Sequence, residues 1–369
     1  MTFTVTTIPD TNAGWAAIES AWRALDATRP VRVPFTDPAW CRLWWRHYRR
    51  DGFRARDDLR LFAVQDGVGI LVGVAPMMLT RRPGRLPFCT RELQFLGADT
   101  NVTELRGVLA APGMERDVAV ALAAFFAQTG GWDWVQWHGL PPDGPAPPGV
   151  VRAGTVVDHL LTVAPTWEAF RAQLPRNIKE SLRKCYNSLA RDGHGWTVHA
   201  LEGAEAVNGT SRLIELHGQR ARRVDTIAHL DVFADPRARA FLVDTIAATP
   251  HARLFALEIG GQFVAMRLGF VYPGELYLYY SGYDPAWSRY SVMTTLVSEA
   301  IKWAIGQGLG RVNLSTGSDV SKLRWRPDAV ATRSGTQLGR SMRGRVLFPA
   351  IQALRRAVRP RPSIPALLG

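Results

Sequence analysis

Read for chemistry, the sequence offers three polar clusters. The first is Arg289, Ser291, Thr294 and Thr295 at the start of a helical pattern. Hydroxyls at a helix N-terminus can donate to an anion, the helix dipole favours negative charge there, and an arginine can pair with phosphate. Ser291 acting only as an N-cap is the competing reading. The second is Lys322, five residues past Gly317 and preceded by Asn313, Ser315 and Ser318. Such a lysine can hold phosphate or carboxylate as a point charge, or simply be a surface residue. The third is Arg176, Lys179, Arg183 and Lys184, which fall on one helical side and make either a solvated face or the wall of an anionic groove. Other chemistry is missing. There is no Gly-x-Ser-x-Gly elbow, and His194, His199 and His229 lack partners at metal spacing, so no catalytic metal is expected. Cys41, Cys89 and Cys185 lie far apart, which suits packed free thiols rather than a disulfide framework.

The elements that must position these groups divide at "GLPPDGPAPPGV", 139–150. Its five prolines cannot continue a helix or a central strand. The expected organisation is an N-terminal half over 1–138, this linker, a C-terminal half over 151–330 and a basic tail over 331–369. In the first half, Asp37 and Pro38 can open a helix in which Trp40, Leu43, Trp44 and Tyr48 recur at core spacing. Two apolar strands, a helix over about 116–127 and the strand "WDWVQWHGL" follow. In the second half, "ARLFALEIGGQFVAMRLGFVYPGELYLYYSGYDP" reads as three strands joined at Gly260–Gly261 and Pro273–Gly274. A helix over about 291–305 comes next, with Met293, Leu296, Val297, Ala300, Ile301 and Ala304 on one face, and then the strand "RVNLSTG". The fold class is α/β (α+β), each half a mixed, mostly antiparallel sheet flanked by helices.

Antiparallel meander, helix, strand is the order of the GNAT acyltransferase core. The segment 281–325 resembles CelD/BcsL-type acetyltransferases at Gly282, Tyr283, Asp284, Pro285, Tyr290, Ser291, Gly317 and Lys322. "PFTDPAWCRLWWRHY" and "LQFLGADTNVTELRGVL" resemble the N-terminal part of the same proteins. That family is similar to FemAB-like transferases, which use two GNAT-like halves and take their acyl group from aminoacyl-tRNA. The resemblance implies an enzyme that transfers acetyl or another acyl group from acyl-CoA to a sugar, amino sugar or amine, in envelope or exopolysaccharide synthesis. The alternatives are an aminoacyl-tRNA-dependent transferase and a non-catalytic, membrane-apposed scaffold. It further implies Tyr283 and Asp284 as proton-transfer residues, with an Asx-turn at Asp284 as the structural reading. Arg289, Ser291, Thr294 and Thr295 would hold the donor, and Tyr279, Asn313, Ser315 and Lys322 the acceptor. Val292 and Met293 stand where the family commonly has Pro-Gly.

The net charge of +13 and pI ≈ 10.3 would suggest a nucleic-acid or anionic partner. The charge is localised, however: residues 331–369 carry eight arginines and no acidic residue or lysine. Leu347, Ile351, Leu354 and Val358 form an apolar helical side there, with Arg355, Arg356 and Arg359 on another. Pro349 suits the first turn, and Pro360 and Pro362 end the helix. An anionic membrane surface contacted through 340–362 is therefore the expected partner beside a small-molecule or polysaccharide-precursor acceptor, with tRNA as the alternative. The polar opening "MTFTVTTIPDTN" does not read as a secretory leader, and the longest apolar run is about a dozen residues. The expected location is cytoplasmic, peripheral at the inner membrane through the tail.

Overall fold

The turn and cap signals of the sequence are realised locally. The computed structural model describes residues 2–84, 89–99, 101–223, 229–317 and 319–358. Its strands are β1 (Thr4–Ile8), β2 (Arg56–Gln65), β3 (Leu71–Arg82), β4 (Thr90–Phe95), β5 (Leu109–Ala110), β6 (Trp134–Leu140), β7 (Val150–Thr162), β8 (Trp196–Leu201), β9 (Ala252–Ile259), β10 (Gln262–Tyr272), β11 (Glu275–Tyr283), β12 (Arg311–Thr316) and β13 (Asp328–Leu338). Its helices are α1 (Asn12–Ala27), α2 (Pro38–Tyr48), α3 (Glu115–Gln128), α4 (Trp167–Gln173), α5 (Arg176–Arg191), α6 (Gly203–Ala221), α7 (Pro236–Ala248), α8 (Val292–Gly306), α9 (Val320–Leu323) and α10 (Met342–Val358). Asp37 opens α2 by accepting the Ala39 N–H at 2.7 Å, with Pro38 in the first turn. Gly260 and Gly261 take φ of 58° and 76°, the left-handed pair that a tight hairpin between β9 and β10 requires.

Pairing joins the strands into one sheet, β1-β2-β3-β4-β6-β13-β7-β12-β11-β10-β9-β8, with β5 on β3. Each half contributes the same unit: an antiparallel run, a helix, and a strand that returns parallel. In the N-terminal half the parallel pair is β4 and β6, in the C-terminal half β11 and β12. The strand after each unit crosses over. β7 follows β6 in sequence yet pairs with β12, and β13 follows β12 yet pairs with β6. The two exchanged strands then pair antiparallel with each other from Asp328↔Leu160 to Gln337↔Val150. Residues 331–338, expected as tail, are therefore the second part of β13, and the proline-rich segment connects two strands of one sheet.

One face of the sheet carries α1, α2, α6 and α7 over a core shared by both halves. Trp40 of α2 meets Phe241 of α7 edge-on at 4.9 Å between ring centroids, and Phe35 meets Tyr277 at 5.6 Å. Edge-to-face pairs of this kind add about 0.5–1.5 kcal/mol beyond area burial. The other face carries α3 over the N-terminal half, and α4, α5 and α8 over the C-terminal half.

The start of α10 docks on the body rather than standing apart from it. Nη2 of Arg343 lies 3.1 Å from the buried Asp133 carboxylate, and Phe348 packs on Trp134 at 5.5 Å. The side chains of Ile351, Leu354, Val358, Arg355 and Arg356, and residues Arg359, Pro360 and Pro362, lie outside the described residues. No described helix is long and apolar enough to cross a membrane.

Candidate active site

The parallel pairing of β11 with β12 runs only from Glu275↔Arg311 to Tyr277↔Asn313. Beyond it the strands separate, and two cavities open in the gap. The outer one, ≈ 350 Å³, is bounded by Arg223, Tyr283, Ser288, Ser291, Thr294 and Arg324, over an apolar floor that includes Met293, Val297 and Leu314. The inner one, ≈ 220 Å³, reaches Glu104, Tyr279, Tyr280, Ser315 and Asp319. Arg220, Arg267 and Lys322 line both.

Val292 and Met293 open α8 as ordinary helical residues, and the strained position is the one before them. Ser291 sits at φ 52°, ψ 43°, in the left-handed region, which costs a non-glycine residue of order 1 kcal/mol. In that conformation its side chain does not cap α8, so the N-cap expectation is corrected. Ser291 lines the outer cavity, and its carbonyl takes the Thr294 N–H at 2.8 Å. Ser315, at φ 73°, is a second left-handed residue, placed where the β12–β7 register shifts. The distortion turns its Oγ onto Glu104 Oε1 at 2.6 Å. Gly317 follows at φ 90° and reverses the chain, which brings Lys322 back over the cavities. Gly282 serves packing instead. A Cβ there would stand 2.2 Å from the His217 amide nitrogen, so its absence lets α6 lie directly on β11.

Several expected residues gather here and others do not. The Tyr283 hydroxyl accepts a hydrogen bond from Arg223 at 2.9 Å, and that of Thr294 accepts one from Arg324 at 2.7 Å. The Lys322 ammonium binds the Thr316 carbonyl and lies 3.8 Å from Asp319. Burial lowers the Lys322 pKa, and the neighbouring Arg267 cation adds to that. Tyr279 borders the inner cavity with its ring, but its hydroxyl is bound to the Val102 carbonyl. Four residues are corrected. Asp284 accepts the Ala286 N–H at 2.9 Å and caps the short turn after β11, the Asx reading of Asp-Pro. Arg289 lies over the Tyr290 ring, 3.9 Å from Asp192 and away from both cavities. Thr295 is fully buried on the inward face of α8. Asn313 is buried too, and its amide holds Asp158 at 2.6 Å rather than facing a cavity. Ser318 lies outside the described residues.

The basic face of α5 also resolves. Arg176, exposed, pairs with Glu180 at 2.7 Å and Lys179 donates to the Ala172 carbonyl at 2.7 Å, while Arg183 and Lys184 are also exposed. Among the described residues no group of His, Cys, Asp or Glu is arranged to hold a metal.

The principal residue missed from sequence is Glu104, in the segment between β4 and β5 of the other half. Its carboxylate accepts from Tyr277 Oη at 2.5 Å and from Ser315 Oγ at 2.6 Å. Burial raises its pKa above the ordinary carboxylate range, against the opposing pull of those two hydrogen bonds. The flanking Asn101 and Val102 carbonyls accept from the Tyr280 and Tyr279 hydroxyls. The only sequence signal for this was the stretch "LQFLGADTNVTELRGVL", noted for resemblance and silent about its target. Arg220, Arg223, Arg267 and Arg324 were missed as well, because one arginine among many carries no local mark.

Two strand–helix–strand units in one sheet, the second splayed at its parallel pair, define a tandem GNAT architecture. Comparison with known proteins agrees. Residues 176–323 match the family model described as an acetyltransferase (GNAT) domain. The structure of FemX superposes with a TM-score of 0.61 at 9% identity, over 95% of this chain and 100% of that one. A conserved protein of unknown function from Bacteroides thetaiotaomicron gives 0.53 at 10% identity, over 90% and 100%. The C-terminal domain of a putative lysylphosphatidylglycerol synthetase from Agrobacterium fabrum gives 0.50 at 12%, over 92% and 97%. At such identities these likenesses concern the fold. No curated protein matches the chain in sequence. The chain thus carries a GNAT acetyltransferase domain and is an enzyme of the GNAT acyltransferase type; the narrower CelD/BcsL likeness rests on the sequence motifs.

Proposed function

We propose that the protein moves an acyl group from an acyl-CoA in the outer cavity to an amine or hydroxyl of an acceptor in the inner one, with Glu104 as the proton acceptor. The observation that carries this reading is the placement of the Glu104 carboxylate on an inner cavity that adjoins an outer one lined by cations. Arg223, Arg324 and Lys322 suit the phosphates of the donor, and the apolar floor suits its pantetheine arm. Each Glu104 oxygen already accepts one hydrogen bond and has a lone pair left for the acceptor's N–H or O–H. As the acceptor atom bonds to the acyl carbon, its proton passes to Glu104 and the carbon–sulfur bond breaks. Arg223 donates to the Tyr283 oxygen, which leaves the phenolic proton for the departing thiolate. A sugar, amino sugar or polysaccharide precursor as acceptor follows from the sequence resemblance.

Titration calorimetry with acetyl-CoA and longer acyl-CoAs, beside an aminoacyl-tRNA, tests the donor. Micromolar acyl-CoA binding is expected. Binding of the tRNA alone would replace this reading with aminoacyl transfer, for which Arg183 and Lys184 of α5 are the residues in favour.

We also propose that α10 meets an anionic membrane surface. In support, Met342 and Val346 are exposed at 70% and 69% beside the exposed Arg345.

A further inference from the structure

Arg267 poses a physical problem that acyl transfer leaves unsolved. A guanidinium is always charged and carries five N–H donors, and closing any of them off from water without an acceptor costs free energy. Arg267 stands within β10 and borders both cavities. Its Nε is shielded from solvent with no partner, and among the described residues it forms no hydrogen bond or ion pair. Its countercharges, Glu104 and Asp319, act only from a distance, and burial pushes its pKa down to about 10.

The neighbours do not relieve this. Arg220 meets neutral groups, Ser281 Oγ at 3.0 Å and His229 Nε2 at 3.0 Å. Neither Glu104 nor Asp319 is within ion-pair distance of Arg267, and Asp319 sits by Lys322. The outer cavity has cations of its own, Arg223 and Arg324, that do not border the inner one. A donor's phosphates can therefore be held without Arg267.

We propose that the acceptor carries an anionic group, carboxylate or phosphate, beside its reacting amine or hydroxyl, and that Arg267, with Arg220 next to it, selects that group. This rests on the acyl-transfer reading, which makes the inner cavity the acceptor's. A planar guanidinium takes either anion through two parallel N–H donors, and a neutral acceptor leaves its charge unanswered. Selectivity then comes from rejection as much as from attraction.

Calorimetric titration of the full chain with glucosamine, glucosamine 6-phosphate and muramic acid supplies an amine with no anion, with a phosphate and with a carboxylate. One anionic probe should bind at least about tenfold more tightly than glucosamine, as a charged hydrogen bond implies, and which one binds identifies the anion. Arg267→Met should erase the preference, Arg267→Lys should keep part of it, and acetyl-CoA affinity should change less than about twofold in either. Without ligand, Arg267→Met should melt higher than wild type, because an unanswered charge has gone. Equal binding of the three probes, a preference that survives Arg267→Met, a lower melting temperature in that variant, or loss of acetyl-CoA affinity in it would each overturn the proposal. Should acetyl-CoA fail to bind wild type, the donor assignment falls, and the anion preference is still read from the probes.

Discussion

In the C-terminal half, eight residues (284–291) join β11 to α8, and a cavity of ≈ 350 Å³ stands at the helix start. In the N-terminal half, 96–114 join β4 to α3, and the matching position holds a space of ≈ 90 Å³ between Arg116, Leu140 and the proline-rich 141–147. The first turns differ in charge as well. α3 opens with Glu115 and Asp117, whereas α8 has no acid in its first turn. Acids at a helix N-terminus already answer its positive dipole and repel an incoming phosphate. One copy of the unit has thus been filled and made acidic, and its longer joining segment crosses the interface to deliver Glu104 to the other. The comparison teaches that a repeated unit can contribute to one active site while hosting none.

The largest effect should come from the contacts that make the C-terminal segment part of the N-terminal half. Ending the chain at residue 339 removes Arg343 from the buried Asp133 carboxylate, and a loss of about 3 kcal/mol in unfolding free energy is expected for a broken buried pair. Ending it at 350, which keeps the exposed Met342, Arg345 and Val346, should leave denaturant unfolding unchanged, whereas ending it at 339 should also abolish sedimentation with anionic vesicles. Vesicle binding that persists in the shorter chain would remove the membrane role of α10.

Glu104→Gln should lower turnover about 10²-fold, as for a lost general base, with acetyl-CoA affinity intact. The base works ionised, so wild-type activity should fall as pH drops through its raised pKa, and the variant's profile should lack that limb. The stability contribution has the opposite sign. A carboxyl whose folded pKa is raised favours the folded state at low pH, and that benefit is lost as pH rises through the folded value. Near-normal turnover in the variant would break the idea that the N-terminal half supplies chemistry.

Thr294→Glu should weaken acyl-CoA binding by about 1–3 kcal/mol by placing a carboxylate at the α8 start. Arg116→Glu, in the first turn of α3, should have no effect on it. Equal losses from the two would mean that both units bind the donor. The smallest effect belongs to Asp284→Asn, which keeps a capping oxygen. Turnover should stay within about twofold and stability within about 1 kcal/mol, and a 10²-fold loss would return Asp284 to the chemistry.

Most of what was legible in advance was local. Asp37–Pro38, the Gly260–Gly261 turn, and the meander–helix–strand order each depend on residues close in sequence, whose φ preferences and apolar spacing act alike in any context. Tyr283, Thr294, Ser315 and Lys322 were placed at the cavities for the same reason: strand ends and a helix start are set locally. Arg289, Thr295 and Asn313 were not, because each lies within a residue or two of a cavity-lining neighbour, and only the packing of α5, β7 and α8 decides which side chain turns inward.

The sequence by itself determined the elements, their turns and the kind of unit they build. Tertiary structure alone decided that β7 and β13 exchange places, and that Ser291 adopts a left-handed backbone. It also decided that Glu104 meets Tyr277 and Ser315 across separations of 173 and 211 residues. Periodicity reports that a residue faces some core and charge reports that it needs an answer; neither says which distant segment covers the one or supplies the other. That choice is made when the two halves close on each other, where Glu104 gains two hydroxyl donors while Arg267, among the described residues, is left with no acceptor of its own.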